Sequence, residues 1–306
     1  RPRLRRATVG ALAAFGAAVI DHLVALLEND HTPRDIRAAL PRVIAALPPA
    51  VALAPLLRFI DDPEPTVRDS VFRGLQRLKE ATPGLRLDDA QLDTALRAEA
   101  RRFFQLLAQT EDLGFGEKPA LLADALADRQ NQTVARIMVV LGLRYSPETI
   151  RLVVRNLRSS AVATRSNAVE VLDNLLDRGE KPMVIPIIDL NRPQQKLAAG
   201  VELFDLDRRD REGWLREFLK SGEPWLQCCA AVSVGEWRID GLASDIEPLL
   251  RSPESMCRET AIYVLHTLAP ASLEPAWERL LGDGATHVQR FAHHIHSERL
   301  ALASPS

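Results

Sequence analysis

Leu53, Leu56, Leu57 and Ile60 recur at i, i+3, i+4 and i+7, the spacing that gathers apolar side chains on one face of a helix. After the polar break DDPEPT, Val67, Val71, Leu75 and Leu78 repeat the stripe, so the pattern predicts two amphipathic helices facing each other across a turn. Pro63 and Pro65 make the break, because each disfavours helix in the residue before it, and Thr66 offers a hydroxyl to cap the second helix. The plan returns with Ile150, Val153, Val154 and Leu157, the turn SSAVAT, then Ala168, Val171, Leu172 and Leu175. It returns again with Leu242, Ile246, Leu249 and Leu250, the turn RSPES, then Ala261, Val264, Leu265 and Leu268.

The position just inside each second helix measures the period. It holds Arg37, Arg68, Arg165, Gln227 and Arg258: Arg37 to Arg68 and Gln227 to Arg258 span 31 residues, and Arg165 to Gln227 spans twice that. Arg68 to Arg165 is near three periods with a few extra residues, which fall in an irregular insertion near 81–91. Such self-similarity predicts an all-α fold, an α-solenoid or superhelix of about eight helical hairpins. The expected pairs are 9–47, 50–81, 88–114, 117–145, 147–178, 181–208, 211–238 and 240–269, with a helical tail near 270–300. In the third pair, a single longer helix is the alternative. Because stacking adds core linearly, 306 residues imply one repeat domain over 1–306 rather than two globular ones.

Composition agrees with helix and narrows the function classes. Hydrophobic residues are 46%, charged residues 26% and aromatics 5%, a balance that buries a core and does not describe a disordered chain. Net charge is −2, with acidic residues interleaved among the arginines, so neither sign points to a partner and nucleic acid is an unlikely one. Cys228, Cys229 and Cys257 are too few and too clustered for a disulfide framework, which points to a reducing, cytoplasmic setting. No run approaches the ~18 apolar residues of a membrane span. The start RPRLRR reads as a cut through a longer protein: Arg1, Arg3, Arg5 and Arg6 are either a solvated helix end or the cytosolic flank of an upstream membrane span.

Within the turns, Asp62 lies six residues before Arg68, and Ser159 and Ser252 stand six before Arg165 and Arg258. This spacing resembles the Asp and Arg ladder of HEAT repeats, and the tetratricopeptide signature of Trp, Gly and Tyr is missing. From Ala135 to Asp189 the chain is similar to the soluble HEAT region that follows the membrane domain in certain bacterial major-facilitator or ADP/ATP-carrier-like proteins. Leu141 to Tyr145, then Arg165, Asn167, Ala168, Glu170 and Leu172 to Leu176, and finally Pro186 carry that resemblance, which extends over roughly Pro33 to Leu190. It implies a module beside a transporter activity, on the cytosolic side of a membrane protein, bound to a protein partner or to adjacent domains of its own chain.

Constellations that would carry chemistry are incomplete. His293 and His296 are three apart, but no HExxH pattern completes them, His287 and His294 add no ligand spacing, and the adjacent cysteines lack the gap of a zinc knuckle. A nucleophilic Cys228 or Cys229 would need a base, and the nearest histidine in sequence, His266, lies a repeat later. The segment LGFGEK has no GK[ST] ending and follows a helix, so it is expected as a turn. The expectation is therefore no enzyme, no cofactor, no metal and no catalytic residue. Candidate interaction residues are Asp173 and Asn174, polar positions that the period does not require, and Trp214, Trp225 and Trp237, any of which would anchor a partner if exposed. The function expected is a protein-interaction scaffold or regulatory module; the alternative is a HEAT-like enzyme or ligand binder, bilin lyase-like or DNA glycosylase-like.

Overall fold

The computed structural model describes residues 16–82, 84–116, 120–189 and 191–303, so Arg1, Arg3, Arg5, Arg6, Lys118 and Leu190 lie outside the described residues. Those described are all-α, with no strand among them. The helices are α1 (Ile20–Glu28), α2 (Arg34–Ile44), α3 (Pro49–Arg58), α4 (Pro65–Ala81), α5 (Asp89–Leu113), α6 (Leu121–Arg144), α7 (Pro147–Leu157) and α8 (Val162–Leu175). They continue as α9 (Lys181–Ile188), α10 (Pro193–Leu203), α11 (Arg211–Lys220), α12 (Pro224–Trp237), α13 (Ala243–Ile246), α14 (Ser255–Leu268), α15 (Trp277–Leu281) and α16 (Thr286–Ala303). Short 3-10 segments at Asp240–Leu242, Glu247–Arg251 and Pro270–Ala276 flank α13 and precede α15. A proline at the first or second position opens α3, α4, α7, α9, α10 and α12, where its missing N–H costs no helical bond.

Two compact units divide the chain, Arg1–Phe104 with Asn131–Leu206 and Gln105–Gln130 with Asp207–Ser306, and α5 and α6 each run from one into the other. In the first unit α2 packs on α4, α7 on α8 and α9 on α10, burying Leu27, Ile44, Leu56, Phe72, Ile137 and Leu172. In the second, α11 packs on α12, α12 on α14 and α15 on α16 around Leu215, Leu226, Val234, Ile262, Leu265 and Leu280. Glycine sets two close approaches: a Cβ on Gly200 would lie 2.5 Å from the Phe104 ring, and one on Gly235 would lie 3.1 Å from Val264.

The turns are built from one repeated bond. Arg68 Nη1 donates to the carbonyls of Asp62 and Pro63 at 2.6 and 2.9 Å, Arg165 Nη1 to Ser159 and Ser160 at 2.7 and 2.9 Å, and Arg258 Nη1 to Ser252 and Pro253 at 2.8 and 3.0 Å. The first residue of each turn also accepts the N–H two residues on, at Glu64, Ala161 and Glu254. A turn leaves carbonyls outside any helical ladder, and these side chains supply their partners. Arg37 does the same for Leu27 O at 2.9 Å, Lys196 for Ile187 O at 2.8 Å, Gln227 for Leu219 O at 2.8 Å and Gln289 for Leu281 O at 3.0 Å. Positions 165, 196, 227, 258 and 289 thus follow one another at intervals of 31. Arg37 also reaches Asp62 at 2.9 Å, and Arg258 grips both oxygens of Asp283 at 2.7 Å, so the aspartate of one turn is held by the donor 25 residues before it.

The details refine the pattern read in the sequence. The third pair takes its alternative form, the single long helix α5, and the fourth is likewise one long helix, α6, since neither helix has a proline inside it to break it. The helical tail expected near 270–300 is present as the pair α15 and α16, with Gln289 at the start of the second helix. Thr66 does not cap α4: its hydroxyl donates to Glu64 Oε1, and Asp62 takes the free N–H instead. Val171, placed in the apolar stripe of α8, is 44% exposed, while Ala168 and Leu172 are buried.

Asp283 is held below the usual carboxylate range chiefly by the hydrogen bonds from Arg258, with burial opposing and the Ala285 N–H assisting. A depressed folded value means that this carboxylate stabilises the fold above about pH 4, its unfolded value, and that the contribution is lost as pH falls further. Arg258→Met should lower stability by about 2–3 kcal/mol, from two carbonyl bonds lost and Asp283 left unpaired. Urea unfolding at pH 7 checks this, and Asp283→Asn should flatten the fall in stability between about pH 5 and pH 2.

Candidate functional site

The residues singled out in the sequence do not converge. Asp173, near the end of α8, makes one ion pair, with Lys181 Nζ at 3.4 Å, and is half exposed; Asn174 beside it is exposed. Both belong to the first unit, whereas the three tryptophans belong to the second. Trp214 is a core residue rather than a surface anchor: it is 2% exposed, its Nε1 donates to Asp112 at 3.0 Å, and its ring stacks on Phe218 at 6.0 Å. Trp237 is half buried between Phe115 and the Arg211 guanidinium, which lies 4.5 Å over its ring. Trp225 stands 52% exposed at the start of α12, and Met256, 31 residues later on α14, is exposed beside Tyr263 on the same helix.

The polar network of the first unit lies elsewhere, on α4, α5 and α6. Glu99 is fully buried and accepts from three arginines: Arg68 Nε at 3.1 Å, Arg102 Nη1 at 3.0 Å and Arg136 Nε at 2.7 Å. Arg136 continues to Asp69 at 2.7 Å and Thr133 at 3.0 Å, and Arg102 to Asp61. Burial, and next the repulsion of Arg102, lower the pKa of Arg68; burial works against Arg136 as well, but Glu99 and Asp69 outweigh it and raise the pKa. The three arginines face three carboxylates, so the cluster is neutral and its donors are turned inward. A second cluster gathers on Arg144, which bonds Glu180 at 2.7 Å and Asp93 at 2.5 Å; Tyr145 donates to Glu180, and burial with that bond pushes the phenol up to about 12. Neither network was visible in the sequence, where Glu99 and Arg136 stand as ordinary charged helix positions.

An open apolar groove of about 670 Å³ is also built within the first unit. One wall is α4, with Gln76, Lys79 and Glu80; the floor is α6, from Asn131 to Leu143; the other wall is α7, with Ile150, Arg151, Val154 and Arg158. Arg151 donates to Glu80 across the groove at 3.2 Å and to Glu148 at 2.8 Å, while Lys79 donates to Leu85 O at 2.7 Å. Gly142 lies in its lining, and a Cβ there would meet only Ile150, at 3.9 Å.

In the second unit, Cys228 and Cys257 place their sulfurs 3.6 Å apart between α12 and α14, and all three cysteines are buried. Burial pushes the Cys228 thiol up to about 12 and that of Cys229 up to about 11, so the nucleophilic thiolate is suppressed at neutral pH. Among the described residues no three or more His, Cys, Asp or Glu side chains gather as a metal site, and His296 packs on the Trp277 ring at 4.8 Å. No protein-family model matches this chain. No curated protein matches it either.

Glu99→Gln should cost about 3–5 kcal/mol, because Arg68 and Arg136 stay buried with their shared charge removed; thermal unfolding of the variant against the parent chain measures it. The cysteines should react slowly with a disulfide reagent at pH 8 in the native protein and all three at once in denaturant, a difference read by thiol absorbance.

Proposed function

We propose that the chain is a non-enzymatic α-solenoid of HEAT type, whose role is to present a surface to a protein partner or to further domains of its own polypeptide. The observation that carries this reading is the bond from a donor just inside each second helix back to the carbonyls of the preceding turn or helix, kept at 31-residue intervals from Arg165 to Gln289. A chain that spends its charged side chains on closing hairpins gains length of surface, not a reaction centre. Asp62 and Asp283, each held by the donor 25 residues before it, support the HEAT ladder in particular. The cytosolic, transporter-attached form of the proposal rests on the resemblance of Pro33 to Leu190. A partner other than nucleic acid is supported by the arginines committed to carboxylates and carbonyls inside the fold.

The exposed large side chains Trp225, Met256 and Tyr263 provide places to test it. A photo-crosslinking residue at Trp225 or Tyr263, in the natural full-length polypeptide in its own cell, should join the chain to one protein or one neighbouring domain, identified by mass spectrometry. The same residue at exposed Arg155 on α7 serves as the comparison position. Equal, unselective crosslinking at all three positions, or substrate turnover by the purified chain, would contradict the scaffold reading.

A further inference from the structure

The open groove between α4, α6 and α7 carries unpaired polar side chains in its lining. Its floor runs along α6 from Asn131 to Leu143, about 18 Å at the helical rise, and presents Val134, Met138 and Val139. The α6–α7 hairpin turns at Tyr145 and Ser146, where Gly142 faces Ile150, and the lining residues furthest along the chain from that turn are Asn131 on α6 and Leu157 and Arg158 at the end of α7. At mid-groove the charges are spent: Glu80 takes Arg151 and Gln76, and Lys79 is bound to a backbone carbonyl. The open end is different. Arg158 and Asn131 line it, both are solvent-accessible, and neither side chain has a hydrogen-bond or ion-pair partner among the described residues.

A cavity of about 670 Å³ falls within the range of small-molecule clefts, which are apolar with a few polar groups that fix orientation. One free guanidinium and one free amide at a single end suit one anionic head, and the apolar remainder suits an unbranched tail. Glycine inside a helix costs about 1 kcal/mol against alanine, and no neighbour forbids a side chain at 142, so its absence leaves room in the groove. We propose that this groove binds an amphipathic anion, a linear acyl chain ending in a carboxylate, with the carboxylate on Arg158 and Asn131 and the chain along Val134, Met138, Ile150 and Val154. An amphipathic peptide helix would need a longer open trough and a charged face along it; the groove offers its free cation at one end only.

Titration of the full chain with dodecanoate below its micelle concentration, followed by calorimetry and by methyl NMR, tests the site. Saturable binding of one dodecanoate per chain is expected, with shifts at Val134, Met138, Ile150 and Val154. Arg158→Glu, an exposed change that spares the core, should weaken it about tenfold, in line with the loss of one charge-assisted pair and its replacement by repulsion. Ala135→Trp, from an exposed position on the groove floor, should abolish binding without moving the urea midpoint. Dodecyltrimethylammonium, with the same tail and the opposite charge, should bind at least about tenfold more weakly. No saturable dodecanoate binding, binding that ignores Arg158→Glu and the sign of the head group, or binding of an acidic amphipathic peptide but not of dodecanoate would each overturn the proposal.

Discussion

The structure depends on how a helical hairpin satisfies the carbonyls at its own turn. Each helix ends with backbone acceptors that no further turn of helix can reach, and leaving them dry costs about 1–3 kcal/mol apiece. Here a long donor, one turn into the following helix, reaches back to them. Arg68, Arg165 and Arg258 do so with the same Nη1 on two consecutive carbonyls, and Lys196, Gln227 and Gln289 do so on one. The bond fixes where the second helix starts relative to the first, and from that follow the repeated packing of α3 on α4, α7 on α8 and α11 on α12. In two of the arginine donors a further arm takes the aspartate 25 residues on, Asp62 from Arg37 and Asp283 from Arg258.

The break in the series is explained by the same rule. Position 99 is 31 residues after Arg68, yet it holds Glu99 in the middle of the unbroken α5, where no turn exposes carbonyls. A donor there would have nothing to bind. A carboxylate serves instead as acceptor for Arg68, whose Nη1 is already committed to its own turn, and for Arg136 on α6. Burying such a cluster gives little net stability, since desolvation offsets much of the attraction, but each member makes the others tolerable. Its value is geometric: it sets the register of α4, α5 and α6.

How much of this the sequence showed depends on whether the signal was periodic. The hairpins at 50–81, 147–178 and 211–238 were legible because apolar stripes and proline starts are local, and the interval of 31 was legible at arginines. Lys196 and Gln289 belong to the same series as Gln227, because the position selects a long hydrogen-bond donor rather than one residue type. The long α5 is the alternative read for the third pair, and α6 escaped because a period laid over an unbroken amphipathic run still finds matches. Among the candidate site residues, Trp214 and Trp225 look alike in sequence, and only the partner of the indole N–H, Asp112 for Trp214, separates core from surface. The groove left no trace, because its walls come from α4 and α7, some 70 residues apart in the chain, as Arg151 and Glu80 are.

That separation also bears on why the groove exists. In the hairpins, facing stripes come from consecutive helices whose spacing the turn bond sets, so they close on each other. Between α4 and α7 no such bond operates among the described residues; the long α5 and α6 intervene, and the ion pair of Arg151 with Glu80 links across. Both partners are about half exposed, so this pair contributes at most about 1 kcal/mol and cannot draw the walls together against the bulk of Met138 and Val154. Room for a ligand appears where the insertion into the repeat removes the constraint that elsewhere closes the core, and the unbroken helices that cause it also supply its floor.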